Sequence, residues 1–489
     1  MEIDTDDIQQ SSSSTRQAGR PLTVPVDDDH PFDLDSYISN YSGRTAIDRL
    51  IHIVSICPTI ASEAYQLAVQ HIEQSRDPSL FQQLLNAYEN MAASNPDLGL
   101  PNPLDIAQLD TKWADETLAK NQADKVKLEV ELKTYSNNMI KESIRMAHRD
   151  LGDFYRATGD YTTALKHYTK SREFCTTSQH VLDMCLSVLE LLIEQRNYAH
   201  LTTYVFKADA ALDAATAATS NIPSGGAAVT GAAGSSGNHK KKERDYVQSK
   251  LDLAIALSNL GQGNYEKAAQ YFLRLGSTGD LGDWIGKLVA PGDIAIYGTL
   301  CALSALRRSA IKSQVLENSI FGMYIEQEPY VRELIEAYMN SNFKTALELL
   351  SRYSTRHTVD IHLAPHVHDL TNLIRNKAVV LYFQPFASIK LDRMSAAFGW
   401  TVEEVENHVV GLIQSGDIQA RVDRENKILH AKKTDYRAEL FARAIKAGTE
   451  IQATNRKLLL RMRLQQAELV IKPPKGSRNE LSDYMQGGE

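Results

Sequence analysis

Apolar residues recur at helical spacing along most of this 489-residue chain, so the pattern predicts a mainly α-helical protein. Residues 1–30 lack that rhythm. They are polar and acidic, with Ser11–Ser14 and Asp27–Asp29, and read as a disordered tail. From about Leu34 the text becomes helical: Ile47, Leu50, Ile51 and Val54 share one face, and Pro58 opens the next helix. A loop rich in proline and asparagine, Asn95–Pro103, precedes a long charged helix at about Leu109–Tyr135. These elements make an N-terminal helical region over 31–135.

Over 136–368 a short pattern recurs. Gly159, Tyr161, Ala164 and Tyr168 have the same mutual spacing as Gly263, Tyr265, Ala268 and Phe272, and as Ser341, Phe343, Ala346 and Leu350. A looser copy is Arg196, Tyr198, Leu201 and Val205. The reading is a helical hairpin: a polar or glycine corner ends one helix, an aromatic anchors the turn, and a small residue admits the partner helix. Such hairpins cannot bury their apolar faces alone, which predicts a stacked, tetratricopeptide-like (TPR-like) solenoid. Leu151, Gly152 and Tyr155 stand where such a repeat has them. An alanine-, glycine- and serine-rich stretch, 208–243, reads as an unpacked insertion, and its Lys240–Lys242 as a solvated charge cluster rather than a localisation signal.

Beyond Asp369 the rhythm changes. Two helical stretches lead to a third, Thr401–Gly416, and then apolar and polar residues alternate over Ile418–Val422 and Lys427–His430. Asp423–Asn426 supplies the hairpin turn. Three helices and a two-stranded wing make a winged helix over 369–433. One helix then fills 434–472, roughly 55 Å long, before a flexible tail, 473–489. Phe441, Ile445, Gly448, Ile451, Leu458, Met462 and Leu469 form one apolar stripe of that helix; Leu460, Leu464, Ala467 and Ile471 form a second. A helix apolar on two sides must be enclosed, which implies partner helices. The second wing strand is expected at a sheet edge, open to another chain. The candidate partner-interface residues are therefore Ile418, Val422 and Ile428 in the wing, and Leu458, Leu460, Met462, Leu464 and Leu469 in the helix.

Charge and chemistry narrow the function. A formal net charge of -8 offers no overall field for a polyanion. The third winged-helix segment carries Glu403, Glu404 and Glu406 and no Lys or Arg, so nucleic acid is not an expected partner, although Arg421, Arg424 and Lys427 lie in the wing. Cys57, Cys175, Cys185 and Cys301 show no metal-type spacing and fit a reducing compartment. With no apolar leader and no apolar run of membrane length, a soluble intracellular protein is expected, with no membrane partner. The densest set of ligand-type residues is His357, Asp360, His362, His366, His368 and Asp369. A JAMM-type metallo-isopeptidase would need a serine and an aspartate after its His-x-His; Asn376 and Val379 stand there instead. No phosphate-binding glycine loop or nucleophile motif is present. The expectation is no catalytic residue, no metal and no cofactor.

A helical-repeat array running into a winged helix and a long terminal helix resembles the PCI-domain family, which scaffolds the proteasome lid, the COP-9 signalosome and translation initiation factor three. The stretches Tyr41–Ile53, Ile140–Tyr155, Ser171–Glu190, Asp293–Leu303, Leu363–Val367 and Arg421–Leu429 are similar to the signalosome's subunit-one family, over roughly residues 36–472 without the insertion. The proteasome-lid PCI subunit is similar in layout but not in these words. The resemblance implies a non-catalytic scaffold in the cytoplasm and nucleus, assembled with other signalosome subunits through the winged helix and terminal helix. It supports removal of the modifier NEDD8 from cullin-RING ligases, a further expected contact, while a different, JAMM-bearing subunit carries the isopeptidase chemistry. A lid subunit and an RNA-associated initiation-factor subunit are the alternatives.

Overall fold

The computed structural model describes residues 24–96, 99–107, 111–220, 236–432 and 436–469. The N-terminal bundle comprises α1 (Leu34–Ile38), α2 (Arg44–Ile56), α3 (Ala61–Glu73) and α4 (Ser79–Ser94), followed by the long α5 (Thr111–Asn137). Ile47, Leu50 and Val54 of α2 are buried against Tyr65, Ala68 and Leu84, and the same cluster takes in Ala290 and Val359 from far along the chain. Order begins earlier than the composition suggested. Val24 is buried and its N–H donates to the Ile56 carbonyl at 2.9 Å, while Thr355 Oγ1 donates to the Pro25 carbonyl at 2.8 Å. The expected disorder of 24–30 is thus corrected: the buried Val24 and the bonds at Val24 and Pro25 tie the start of the segment down. The rest of that tail, 1–23, lies outside the described residues.

The repeat array follows as α6 (Lys141–Ala157), α7 (Tyr161–Ser171), α8 (Ser178–Glu194), α9 (Tyr198–Ser220), α10 (Ser236–Gly261), α11 (Tyr265–Arg274) and α12 (Pro291–Ala305). It continues through α13 (Ser319–Ile325), α14 (Pro329–Met339), α15 (Phe343–Arg352), α16 (Ser354–Val359) and α17 (Val367–Phe383). All four corners read from the sequence share one backbone device. Gly159, Arg196, Gly263 and Ser341 sit in the left-handed region, at φ +86°, +57°, +77° and +62°. The N–H that follows each corner reaches back five residues at 2.9 Å, from Asp160, Asn197, Asn264 and Asn342 to Tyr155, Leu192, Asn259 and Ala337. That is the Schellman helix stop. Tyr161, Tyr198, Tyr265 and Phe343 then open the next helix, and Ala164, Ala268 and Ala346 are buried where the helices meet. A Cβ on Gly152 would lie 2.5 Å from the Tyr168 ring, which explains the glycine.

The insertion is less loose than its composition implies. Helix α9 continues to Ser220 with Ala208, Ala211 and Leu212 buried, and α10 starts at Ser236, so packing holds where an unpacked linker was expected. Alanine is the best helix former, and low complexity there conceals an ordinary helix end. Residues 221–235, and the side chains of 215–220 and 236–243, lie outside the described residues.

The chain divides into two compact units: Met1–Pro385 with Asp392–Val409, and Phe386–Leu391 with Val410–Glu489. In chain order α17 is followed by β1 (Ser388–Lys390), α18 (Leu391–Phe398), α19 (Val402–Gln414), β2 (Ala420–Asp423) and β3 (Ile428–Ala431), a winged helix. In the first unit the Phe398 ring stacks on Phe343 at 5.6 Å and Trp400 on Phe398 at 5.1 Å. Helix α19 begins with a reciprocal cap: Thr401 N–H donates to Glu404 Oε2 at 2.9 Å and Glu404 N–H to Thr401 Oγ1 at 3.3 Å. The second unit holds an antiparallel sheet of order β1-β3-β2, with Leu429 opposite both Ile389 and Val422, and α20 (Tyr436–Gln466).

Candidate partner-binding surfaces

The histidine-rich stretch belongs to a buried ionic hub of the first unit. Arg49 of α2 is fully buried, with Nη1 2.6 Å from Asp360 Oδ2 and Nη2 3.1 Å from Asp293 Oδ2. Tyr41 donates to Asp293 Oδ2 at 2.5 Å and Tyr297 to Asp360 Oδ1 at 2.6 Å. Arg356 adds a 2.9 Å bond to Asp293 Oδ1. The N–H groups of His362 and Leu363, each 2.9 Å from Asp360 Oδ1, complete that carboxylate's shell. Burial alone would raise the Asp360 carboxyl, but Arg49, His362 and the Tyr297 hydroxyl hold it well below the usual carboxylate range. A buried charge survives only when paired in this way.

Each histidine has a partner. His357 Nε2 shares a 3.0 Å bond with the Tyr330 hydroxyl, His362 Nδ1 a 2.7 Å bond with Tyr198, His366 Nδ1 a 3.2 Å bond with Tyr265, and His368 Nε2 a 2.9 Å bond with Asn372. Burial pushes His357 down to about 3 and His362 to about 4, so both are neutral at physiological pH. Among the described residues no three His, Cys, Asp or Glu side chains are grouped to hold a metal ion. The sequence reading missed the hub. Its available signal was a charge inside an apolar helix: Arg49 between Ile47 and Val54, and Asp293 as the lone charge of α12.

The wing corrects one expectation. The second wing strand, β3, is the central strand, and β2 and β1 are the edges. The cause is Ser388–Lys390, which pairs with β3 through Ile389 opposite Leu429. Lys432 N–H donates to the Gln419 carbonyl at 2.9 Å, so by alternation Ala420 and Val422 turn their backbone groups to the outer edge of β2. Of the predicted wing residues, Ile418 is buried and is a core residue, since its N–H caps α19 at the Leu412 carbonyl and its side chain follows inward. Val422 and Ile428 are half-buried. The expectation that Ile418 contacts a partner is withdrawn.

Helix α20 is 31 residues long, about 46 Å, and every described side chain from Arg437 to Leu469 is exposed. Leu458 is 52 % exposed, Leu460 59 %, Met462 64 %, Leu464 39 % and Leu469 69 %. Ile471, assigned to the second stripe, lies outside the described residues, as does 470–489. The wing trio lies in and beside the sheet, Leu458, Leu460, Met462 and Leu464 lie on α20, and Leu469 lies beyond its end at Gln466. Among the described residues no helix is long and apolar enough to cross a membrane.

Comparison with known proteins agrees with the architecture. The family described as 26S proteasome subunit RPN7 matches residues 110–314, and the PCI domain matches 350–433. The chain is 34 % identical to COP9 signalosome complex subunit 1 of Arabidopsis thaliana, over 91 % of this chain and 92 % of that protein. It is 32 % identical to COP9 signalosome complex subunit 1b of Drosophila melanogaster, over 90 % and 86 %. The 26S proteasome non-ATPase regulatory subunit 6 of Oryza sativa is 23 % identical over 41 % of this chain and 51 % of its own length. Repeat array, PCI winged helix and near-full-length likeness converge on one assignment: the chain belongs to the COP9 signalosome complex subunit 1 family.

Proposed function

We propose that this chain is a non-catalytic scaffold of a signalosome, which binds other subunits through the open β2 edge and through α20, and so supports removal of NEDD8 from cullin-RING ligases by a separate JAMM-bearing subunit. Its place of work on this reading is the cytoplasm and nucleus. The observation that carries the reading is α20. A free helix is marginal in water even when its sequence favours it, and this one leaves large apolar side chains in solvent along its whole length. Partner helices would stabilise it and remove that surface from water.

The reading makes a direct prediction. Deleting Thr434–Glu489 releases the chain from co-expressed signalosome subunits in a tag pull-down, while the far-ultraviolet circular dichroism of the repeats persists. Normal assembly of the truncated chain would overturn it. The isolated full chain is expected to hydrolyse no NEDD8–cullin conjugate, and turnover by the pure chain would refute the scaffold role.

A further inference from the structure

The charge of α20 says what kind of partner surrounds it. The helix carries seven basic residues (Arg437, Arg443, Lys446, Arg456, Lys457, Arg461, Arg463) against Glu439 and Glu450, a net of +5 in a chain whose formal net charge is -8. Four of the seven fall in Arg456–Arg463, a run without one acidic residue. All four are exposed, and among the described residues no carboxylate pairs with them. Within the same turns Leu458, Leu459, Leu460, Met462 and Leu464 are 39 to 64 % exposed.

The spacing places these groups in alternation around the helix. At about 100° per residue, Leu458, Leu459 and Met462 fall on one side, and Leu460 with Leu464 on another. Arg456 and Arg463 occupy the arc between the two stripes on one flank. Lys457 and Arg461 occupy the arc on the other. Apolar stripe, basic pair, apolar stripe, basic pair: helices covering both stripes must meet at seams lined by cations. In packed helices the residues at such seams choose the partner.

That pattern excludes the obvious competitors on physical grounds. A helix lying on an anionic membrane needs one apolar face, and here the second stripe would be left in water. Nucleic acid would neutralise the cations and leave both stripes uncovered. A second copy of α20 would cover a stripe but bring four cations against four, and like-charge juxtaposition across an interface suppresses such pairing.

We propose that the Arg456–Gln466 part of α20 is enclosed by amphipathic helices of other chains that carry Asp or Glu beside their apolar seams, and that its charge excludes pairing with another copy of itself. This rests on the scaffold reading and names the chemistry of the partner.

The test compares three forms of the full chain, each co-expressed with the other signalosome subunits: the deletion of Thr434–Glu489, a charge reversal (R456E, K457E, R461E, R463E), and an apolar truncation (L458A, L460A, M462A, L464A). All three should weaken recovery of the complex, the charge reversal by at least about tenfold. Binding of the unaltered chain should fall steeply as salt is raised from about 0.1 to 0.5 M, where charges are screened. The unaltered chain alone should sediment as a monomer, and should bind neither phosphatidylserine vesicles nor single-stranded RNA as tightly as its partners. If deletion and apolar truncation abolish assembly but charge reversal and salt do not, the scaffold reading stands and the acidic-partner inference falls. If the deletion has no effect, the scaffold reading itself falls. Self-association through α20, or preferred binding to vesicles or RNA, overturns the inference.

Discussion

Replacing Asp360 by Asn isolates the ionic hub with almost no change in shape. Asp360 Oδ2 accepts from Arg49 Nη1 at 2.6 Å, and Oδ1 accepts from the Tyr297 hydroxyl at 2.6 Å and from two N–H groups at 2.9 Å. Both oxygens face donors, so the amide NH2 of Asn must point at a donor whichever way it is turned. Arg49 keeps Asp293 at 3.1 Å but loses half its countercharge in a place where its side chain sees no water. Breaking one partner out of a buried pair costs about 3–5 kcal/mol, a large part of the roughly 5–15 kcal/mol that holds a typical domain folded. Urea denaturation of Asp360→Asn should therefore show a midpoint lowered in proportion. Arg49→Met should be as harmful, because it leaves buried Asp360 without its paired cation and Asp293 with Arg356 alone. The double variant removes both halves of one pair, so its loss should be smaller than the sum of the singles by roughly 1–3 kcal/mol. A loss under about 1 kcal/mol in Asp360→Asn, or strict additivity, would refute the claim that this pair holds α2 to the end of the repeat array.

Two further outcomes follow from the same interior. His357 and His362 titrate at about 3 and 4 in the folded chain, against about 6.5 when unfolded, so the unfolded state binds more protons between those values. Stability is then complete above about pH 6.5 and falls as the pH drops toward 4, His362 alone accounting for roughly 3 kcal/mol of the loss; a flat denaturation midpoint from pH 7 to 4.5 would contradict this. At the repeat corners, Gly263→Ala meets nothing within 4 Å and should cost only the left-handed backbone penalty, about 1–2 kcal/mol. Gly152→Ala drives a Cβ to 2.5 Å from the Tyr168 ring and should cost more, which paired thermal denaturation curves would rank.

What could be read from the sequence, and what could not, divides by the range of the interaction. The corners at Gly159, Gly263, Ser341 and even the loose Arg196 were visible because a helix stop is local, set by backbone bonds five residues apart. The hairpin around Asp423–Asn426 was visible for the same reason: Asp423 Oδ1 accepts from the Glu425 and Asn426 N–H groups within four residues. The sheet order was not. A hairpin says that β2 pairs with β3 but not what covers the other side of β3, and Ser388–Lys390 is too short for its alternation to register. The hub was hidden by distance, since Arg49 finds its partners 244 and 311 residues away. Nothing in either neighbourhood names the other. The boundary at Ala208 failed because composition judged a helix of alanines as a linker.

Two of the segments that carry the family resemblance meet inside the first unit. Tyr41 and Arg49 lie in Tyr41–Ile53, Asp293 and Tyr297 lie in Asp293–Leu303, and Asp360 and His362 stand just before Leu363–Val367. Their shared task is to close the N-terminal bundle against the last repeats, where Ala290 and Val359 also join the bundle's apolar cluster. An apolar seam alone would tolerate small slips between stacked helices, because contacts between hydrophobic surfaces are not directional. The Arg49 guanidinium is paired with two carboxylates, donates to the Tyr37 hydroxyl and lies over the Tyr41 ring, and a slip would leave a buried charge unpaired. On α20, by contrast, the described side chains from Arg437 to Leu469 are all exposed.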